Sequence, residues 1–298
     1  MNISNEWISG LIDGFAEQES FAISVYKEKY LRHRFMVSQD KKSADVLYAL
    51  KKSFGCGTVQ KAGGTYSTLM VFEIRKEEHL VEKVIPFFCK YPLRTSKEND
   101  FAKFHTSLST YLEKMGKQDL ADQCAKISPE IPRTPINSGW FRGFVDAEGC
   151  FYVSIVNNRI MPRFILGAAA SESKLIQECQ AFIKCGTLHK RKDGLETLQV
   201  STVKDLETKL IPHFETRGSA VLLRTAKRIP FQKFRKVVRI MHKMNHTTTE
   251  GMDKCRKLQK DLNQFILQNP MLDNSAWSAD EIKPATHATH ATHATHRG

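Results

Sequence analysis

The fold is decided by residues 140–151, which read WFRGFVDAEGCF. This stretch predicts a helix that ends on the carboxylate of Glu148 and turns at once into a strand. Asn137 or Ser138 can cap the start of the helix, and Gly149 is a typical helix stop. Beyond that glycine, apolar and polar residues alternate, which is strand periodicity. A carboxylate in the last helical turn faces the negative end of the helix dipole, so its position there calls for a compensating cation.

The chain contains this helix-to-strand pattern twice. The first copy is residues 7–21, which read WISGLIDGFAEQESF. Further matches follow in the same order, with each segment about 130 residues from its counterpart. The matched pairs are 54–58 with 183–187, 85–88 with 211–214, and 93–97 with 223–227. Ordered matches at a nearly fixed period are the signature of an internal repeat, and here they predict a duplicated domain.

Length, charge and cysteine usage agree with two domains that bind a polyanion inside a cell. The chain has 298 residues, which is enough for two units of about 130 residues that each bury a core. A net charge of +13 predicts a nucleic acid or an anionic membrane as partner. No apolar run reaches the roughly 20 residues that span a bilayer, and the N-terminus does not read as a signal peptide. Seven cysteines without a Cys-x-x-Cys pair favour reduced thiols over a disulfide framework or a zinc site.

Each half is predicted to have the element order αββαββα, which makes the fold class α+β with one antiparallel β-sheet per half. The predicted N-terminal half is 1–117, an extended proline-rich linker is 118–137, and the C-terminal half is 138–268. A long helix is expected near 219–245. Residues 269–298 include Ala-Thr-His four times and are interpreted as a disordered tag or low-complexity tail without function.

Two helices of the form Trp-x-x-Gly-(Phe/Leu)-x-Asp, followed by an acid and leading into a strand, resemble the motifs of the LAGLIDADG homing endonucleases. The single-chain type with two motifs fits best, and the resemblance covers nearly all of residues 1–265. It implies that the paired motif helices form the interface between the pseudo-symmetric halves. It also implies that the acid ending each helix binds divalent metal, and that the two sheets form a saddle in the DNA major groove.

The function implied by this resemblance is site-specific double-strand cleavage of DNA at a long asymmetric target of roughly 20 bp. The implied cofactor is Mg²⁺. Mn²⁺ is expected to substitute for it, whereas Ca²⁺ is expected to support binding without cleavage.

Elementary chemistry agrees with this implied function. Cutting two phosphodiesters, one per strand, needs two attack sites related by the near-twofold symmetry of the duplex. Small residues on the two helices would let them pack side by side: these are Ser9, Gly10 and Gly14 against Gly143 and Ala147. The acids at the two helix ends would then meet. Two close carboxylates repel each other unless a cation such as Mg²⁺ lies between them, where it can lower the pKa of a bound water and stabilise the leaving oxygen.

Three further polar residues are candidates for the catalytic centre. Lys97 and Lys227 stand at matched positions after the Leu-Arg-Thr runs and could stabilise developing charge. The alternative for both is an ordinary surface charge or a phosphate contact. Gln39, at the end of a predicted strand, could orient the attacking water. Its counterpart region, residues 168–170, is all alanine, so the two centres need not be equally active.

The first motif departs from the pattern of the second and leaves its metal ligand open. One alignment matches Glu19 with Glu148 and makes these two the metal ligands. Aligning the tryptophans instead leaves three residues inserted near the active end. Glu17 and Gln18 are the alternative occupants of the ligand position. If the neutral Gln18 holds it, one centre would be crippled and the protein would be a nickase or inactive.

DNA reading is predicted for the side chains on the non-core sides of the strands. Arginine suits guanine and glutamine suits adenine in the major groove, while loop lysines would mostly contact phosphates. The predicted readers of the first half are Ser24, Tyr26, Arg32, Arg34, Ser38, Thr58, Gln60, Thr68 and Met70. Those of the second half are Tyr152, Ser154, Arg163, Thr187, His189, Arg191, Gln199 and Ser201.

The alternative function is an intron RNA maturase or a DNA-binding protein of the same fold without cleavage activity. Acids at both helix ends favour the enzyme, while the irregular first motif keeps the alternative open. Expected partners are double-stranded DNA and, for a maturase, the host intron RNA. A membrane partner is not expected, because no helix combines a basic face with a broad apolar one. The family resemblance implies a monomer located in an organelle, either mitochondrion or chloroplast.

Overall fold

The computed structural model describes residues 2–15, 18–26, 30–63, 68–127, 134–190, 194–216 and 220–269. Within these ranges the chain forms two halves of one design, which confirms the predicted duplication and the α+β class. The strands of the N-terminal half are β1 (Phe21–Tyr26), β2 (Tyr30–Asp40), β3 (Thr58–Lys61) and β4 (Leu69–Ile74). Its helices are α1 (Asn5–Gly14), α2 (Ala44–Phe54), α3 (Glu77–His79), α4 (Ile85–Lys90), α5 (Lys97–Lys114) and α6 (Gln118–Lys126).

The C-terminal half repeats this order and closes with a longer final helix. Its strands are β5 (Cys150–Val156), β6 (Arg159–Ala168), β7 (Thr187–Lys190) and β8 (Glu196–Val200). Its helices are α7 (Ser138–Glu148), α8 (Ser173–Ile183), α9 (Val203–Asp205), α10 (Arg228–His242) and α11 (Thr249–Leu267). A π-helical turn follows α3 at Leu80–Val84 and α9 at Leu206–Leu210, so even this local irregularity occurs in both halves.

Each half contains one four-stranded antiparallel sheet. The strand orders are β1-β2-β4-β3 and β5-β6-β8-β7, which are the same topology. The registers also agree, since Phe21 pairs with Phe35 in the first sheet and Phe151 with Phe164 in the second. Along β2, buried and less buried residues alternate from position 33 to position 40. One face of each sheet is therefore covered by helices, and the other face is left open.

Each half has its own aromatic core under the covered face of its sheet. Phe21 contacts four other phenyl rings at centroid distances of 5.0 to 5.7 Å: those of Phe35, Phe88, Phe101 and Phe104. Phe151 does the same at 5.1 to 5.7 Å with Phe164, Phe214, Phe231 and Phe234. Fully burying one such side chain contributes about 1.5–3 kcal/mol. Two separate cores explain how one polypeptide sustains two domains.

The motif helices α1 and α7 join the halves through close backbone contact. A Cβ added at Gly10 would lie 2.0 Å from the carbonyl oxygen of Trp140, and one at Gly143 would lie 2.0 Å from that of Trp7. At Gly14 an added Cβ would lie 2.4 Å from the Cβ of Ala147. Only glycine allows the helices to approach this closely. The predicted packing of the two motif helices through small residues is confirmed.

The linker predicted over 118–137 is wrong in its first half. Residues 118–126 form α6, and its residues Ala121 and Cys124 are buried in the N-terminal core. His105 Nε2 donates to the carbonyl oxygen of Cys124 at 2.9 Å, which fixes this helix against α5. The prolines that suggested a tether begin only after this amphipathic segment. Residues 128–133 lie outside the described residues.

The helix predicted over 219–245 is also too long, because α10 begins only at Arg228. The preceding segment is tied down by other contacts: Val221 forms an isolated bridge with Glu215, and Thr225 bonds to the end of α7. Asn269, which was assigned to the tail, is described and buried, while 270–298 lie outside the described residues. Among the helices that the structure describes, none is long and apolar enough to cross a bilayer.

Candidate active site at the junction of the two halves

Each motif helix exchanges a hydrogen bond with the other half. The indole Nε1 of Trp7 donates to Asp146 Oδ2 at 2.9 Å, and that of Trp140 donates to Asp13 Oδ2 at 2.7 Å. The tryptophans and these two aspartates are therefore equivalent across the pseudo-twofold axis. Both carboxylates are buried, at 1 % and 3 % exposure, so they serve the interface and do not face solvent.

The two buried aspartates also hold the loops that lead to the candidate lysines. Asp13 accepts bonds from the backbone N–H of Arg94 at 2.8 Å and of Thr95 at 3.0 Å. Asp146 accepts the equivalent bonds at 2.9 and 3.1 Å from the counterparts of those residues, Arg224 and Thr225. Burial raises the pKa of Asp13 to about 6, although these hydrogen bonds oppose the shift. Burial raises the pKa of Asp146 as well.

Lys97 and Lys227 lie at equivalent buried positions beside the motif ends. The Nζ of Lys97 donates to the carbonyl oxygen of Gln18, and the Nζ of Lys227 donates to that of Ala147. The two lysines are 4 % and 3 % exposed. This burial contradicts the alternative that they are ordinary surface charges. Each ammonium group is held at a fixed place by the backbone of its own motif.

Glu19 and Glu148 each follow directly on the carbonyl group that a lysine contacts. Burial lowers the pKa of Lys97, and nearby carboxylates raise it, first that of Asp100 and then that of Glu19. Burial likewise lowers the pKa of Lys227, and the carboxylate of Glu148 is the strongest opposing influence. The lysine contacts therefore pair Glu19 with Glu148, as one of the sequence alignments does.

The first acid does not end its helix as expected. Helix α1 stops at Gly14, whereas Glu148 is the last residue of α7. Glu19 therefore stands on a loop beyond the helix. Its neighbour Gln18 uses both polar atoms of its amide on strand β2, donating to the carbonyl oxygen of Ser38 at 3.2 Å and accepting from its N–H at 3.1 Å. Gln18 thus ties the longer loop to the sheet, and the alternative ligand Glu17 lies outside the described residues.

Gln39 lies beside the lysine of the other half. Its side chain is buried at the end of β2, and it lines a small cavity of about 40 Å³ together with Lys227, Ala147 and Asn269. The matching position in the second sheet is Ala168, which pairs with Glu196 as Gln39 pairs with Met70. The two lysine environments are therefore different, as the alanines at 168–170 predicted.

The open faces of the sheets contain most of the predicted DNA readers. In the first sheet these are Ser24, Tyr26, Arg32, Arg34, Ser38, Thr58 and Gln60, whose strand positions alternate with those of the core residues. In the second sheet they are Tyr152, Ser154, Arg163, Thr187, His189, Gln199 and, just past β8, Ser201. The registers place Ser24 opposite Arg32 and Tyr152 opposite Arg163, so both halves present an arginine on their outer hairpin.

One predicted reader, Met70, lies on the core side of β4, and another, Thr68, lies outside the strand. Met70 packs against the core, on the same side as Phe72 and Ile74. Thr68 follows the same alternation but precedes the strand and is exposed. The outward positions of β4 include Glu73, which was missed. Arg191 lies outside the described residues.

Glu73 organises the arginines of the open face. Its carboxylate lies 3.4 Å from Arg34 Nη1 and 2.6 Å from Arg75 Nη2, and its side chain is 3 % exposed. The Arg32 guanidinium lies 3.4 Å from the ring centroid of Tyr26. These contacts hold three basic groups in place before any ligand arrives. The alternating core residues Phe72 and Ile74 already indicated that Glu73 faces outward.

Fold and site together define a duplicated single-chain protein with a pseudo-twofold centre where two motif helices meet. Residues 8–108 and 141–238 match the LAGLIDADG endonuclease family, and the chain belongs to this family. The resemblance inferred from the motif residues is thereby confirmed.

Individual relatives agree with the family assignment. The "Probable intron-encoded endonuclease 4" of Neurospora crassa is 24% identical over 269 residues, which are 88% of this chain and 45% of that protein. The chain thus spans less than half the length of this relative. The "DNA endonuclease I-CvuI" of Chlorella vulgaris is 29% identical over 106 residues, 32% of this chain and 66% of that protein. The solved structure of I-SmaMI bound to uncleaved DNA target in the presence of calcium ions matches at 25% identity and a TM-score of 0.70, covering 88% of this chain and 99% of that one.

Proposed function

We propose that this protein is a site-specific DNA endonuclease that cuts both strands of a duplex, with one catalytic centre per half. The observation that carries this proposal is the repeated unit of a buried lysine, the carbonyl group it contacts and the glutamate that follows. A surface role would not bury two lysines at matched places. Two such units related by a pseudo-twofold axis correspond to the two phosphodiesters of a duplex.

We propose that Glu19 and Glu148 hold divalent metal, with Mg²⁺ as the natural ion. The donor set fits, because carboxylate oxygens are hard ligands and Mg²⁺ is commonly held by one or two carboxylates together with phosphate oxygens of the substrate. Gly14, the last residue of α1, packs against Ala147, which precedes Glu148 in the chain. The ends of α1 and α7 are therefore close together. When bound, such an ion lowers the pKa of a water and neutralises charge on the leaving oxygen.

The lysines stabilise the charge that develops at the scissile phosphates. Removal of their ammonium groups from bulk water strengthens their interaction with a nearby anion. Their attachment to backbone carbonyl groups fixes them in advance, so little reorganisation is needed during the reaction. Gln39 serves the Lys227 centre, since it lines the cavity at that lysine.

The open sheet faces would lie in the major groove and read about 20 bp of sequence. The chain's net charge of +13 favours binding of the phosphate backbone, which supplies most of the non-specific affinity. Arg32 and Arg34 are held by Tyr26 and Glu73 and would meet the duplex without prior ordering. One chain supplies both halves, so we propose a monomer. The intron-encoded origin in the relatives' names supports an organellar location, mitochondrion or chloroplast.

The test is selection of bound duplexes from a randomised library with Mg²⁺ and, in parallel, with Ca²⁺. We expect double-strand cutting with Mg²⁺ and binding without cutting with Ca²⁺. Glu148→Gln should then lose cleavage and keep binding, while Glu113→Gln, a change at an exposed glutamate of α5, should retain both. Recovery of duplexes that are bound but never cut under Mg²⁺ would overturn the proposal in favour of a DNA-binding protein.

A further inference from the structure

The C-terminal helix α11 connects the second half to the first. It begins beside α10, where the side chain of Thr248 accepts a bond from the N–H of Gly251 at 3.1 Å and caps the helix. Cys255, Leu258 and Leu262 then pack into the core of the C-terminal half. The far end of the helix reaches the N-terminal half at the point where β2 finishes. Its counterpart by order in the first half is the shorter helix α6, which follows α5 as α11 follows α10.

Lys42 of the first half anchors the end of α11. Its Nζ donates to the carbonyl oxygen of Gln268 at 3.4 Å and lies 5.8 Å from the ring centroid of Phe265. A cation at the last carbonyl groups of a helix interacts favourably with the helix dipole. Lys42 is itself fixed, because its backbone N–H donates to Asp40 Oδ1 at 2.9 Å. The last turn of α11 is thus held against the strand end that contains Gln39.

Asn269 follows this turn and is buried at 5 % exposure. Its backbone N–H donates to the carbonyl oxygen of Ile266 at 2.8 Å, and its Nδ2 donates to that of Phe265. Burying an amide is costly unless its polar atoms are bonded. The bond to Phe265 therefore fixes the orientation of the Asn269 amide. The residue lines the same cavity as Gln39 and Lys227.

This cavity has several polar side chains in its lining and is large enough for water. Its volume of about 40 Å³ exceeds the roughly 10–15 Å³ that one water molecule requires. Two amide side chains and one ammonium group offer both donors and acceptors around it. Ala147, which precedes Glu148 in the chain, lines the same cavity.

The surroundings of the other lysine differ. At the positions equivalent to Gln39 and Asp40 the second half has Ala168 and Ala169. At the position equivalent to the neutral Ser43, the second half has the acidic Glu172. Its Oε1 accepts the N–H of Ser96 at 2.6 Å. Among the described residues, only the Lys227 centre has a pair of amides.

We propose that Asn269 is a positioning residue of the Lys227 centre, where its amide and that of Gln39 together orient water beside the lysine. This inference rests on the proposed nuclease function. It assigns to the end of α11 a role in cutting one DNA strand, which is the strand served by Lys227. The centre at Lys97 works without this pair.

The test is single-turnover cleavage of a duplex whose two strands have different fluorophores. We expect Asn269→Ala to slow the cutting of one strand by about 10–100-fold, the usual effect of removing such a supporting group, and nicked duplex to accumulate. The other strand should be cut within about twofold of the normal rate, and affinity measured with Ca²⁺ should not change. Gln268→Ala, which removes an exposed amide one residue away, is the matched control and should cut both strands normally.

A second variant separates positioning from a structural effect. Gln39→Ala should slow the same strand, and the double variant should lose less than the product of the two single effects, because both amides act on one water. Equal slowing of both strands by Asn269→Ala, or fully multiplicative effects in the double variant, would overturn the inference. If the unaltered protein cuts neither strand, the proposed function itself fails, and that result is distinct from a loss confined to one strand.

Discussion

The two copies of the motif reach the same arrangement by different routes. In the second copy, Glu148 stands two positions after the buried Asp146, at the end of the helix. In the first copy, Glu19 stands six positions after Asp13, on a loop that Gln18 pins to β2. The contact that is identical in both is the bond from the lysine to the preceding carbonyl group. The lysine contact, and not the spacing along the chain, therefore identifies Glu19 as the equivalent of Glu148.

The residues around Lys97 and Lys227 differ more between the halves than the contacts between the motif helices do. Gln39 and Asn269 line the Lys227 side, while Ala168 stands at the position equivalent to Gln39. The tryptophan–aspartate bonds, by contrast, occur in both directions with similar lengths. The interface between the motif helices is therefore symmetric, whereas the residues around the two lysines differ between the halves.

The largest expected effect tests the pairing of Glu19 with Glu148. Glu19→Gln and Glu148→Gln should each lower the cleavage rate of both strands by on the order of 10³-fold, because a fixed charge next to the reacting groups is lost. Glu17→Gln should cut at nearly the normal rate. The measurement is single-turnover cleavage with Mg²⁺. If Glu17→Gln is inactive and Glu19→Gln is active, the pairing is wrong.

The next effect concerns the symmetric interface. Gly10→Ala and Gly143→Ala should each reduce the free energy of unfolding by about 3 kcal/mol or more, because the added methyl group would overlap a backbone carbonyl of the partner helix. Denaturant unfolding measures this directly. Gly63→Ala is the control, since nothing lies within 4 Å of a Cβ added there. If either substitution is tolerated, Gly10 and Gly143 are not equivalent close contacts of the two motif helices.

A pH effect follows from the buried carboxylate of Asp13. Its pKa of about 6 lies above the ordinary value of 3.8, so the folded protein binds this proton more tightly than the unfolded chain. The resulting stabilisation is fully present below pH 3.8 and is lost as the pH rises through 6. It amounts to at most about 3 kcal/mol, at 1.36 kcal/mol per pKa unit.

The measurement is the difference in unfolding free energy between the unaltered protein and Asp13→Asn, followed from pH 4 to pH 7.5. Titration of the other carboxylates is common to both proteins and largely cancels. The advantage of the unaltered protein should shrink as the pH rises. An advantage that grows with pH would show that the hydrogen bonds to Asp13 outweigh its burial.

The smallest effect compares the helix caps. The side chain of Ser4 accepts a bond from the N–H of Trp7 at 3.2 Å, and that of Asn137 accepts one from the N–H of Trp140 at 2.9 Å. Ser4→Ala and Asn137→Ala should each cost about 1 kcal/mol in thermal or chemical unfolding. Ser138→Ala should cost less, because Ser138 is the first helical residue and Asn137 is the cap. A larger loss at Ser138 would reverse this assignment.

Local patterns in the sequence were sufficient to predict the two repeated halves and the main residues at their junction. The duplication, the helix ending at Glu148 and the two lysines all follow from short motifs at matched positions. Alternation along β2 also placed Arg32 and Arg34 on the open face. These features depend on neighbours within one element, whose periodicity is visible in the chain itself.

Features that depend on distant contacts could not be predicted in this way. Helix α6 is stabilised by burial of Ala121 and Cys124 against the N-terminal core, and residues far away in the sequence form that core. Met70 is different, since its place on the core side of β4 follows from local alternation with Phe72 and Ile74. The sequence predicts Asn269 to be part of the C-terminal tail. Its actual position depends on a contact between the end of α11 and Lys42 of the other half.

We propose that each half provides one lysine for the cleavage of one strand. The most direct test is strand-resolved cleavage by Lys97→Met and Lys227→Met, with Lys103→Met, a change at an exposed lysine of α5, as control. Each active-site variant should slow one strand by about 10²–10³-fold, and the two variants should leave opposite strands uncut. Loss of the same strand in both, or equal loss of both strands in each, would contradict the account.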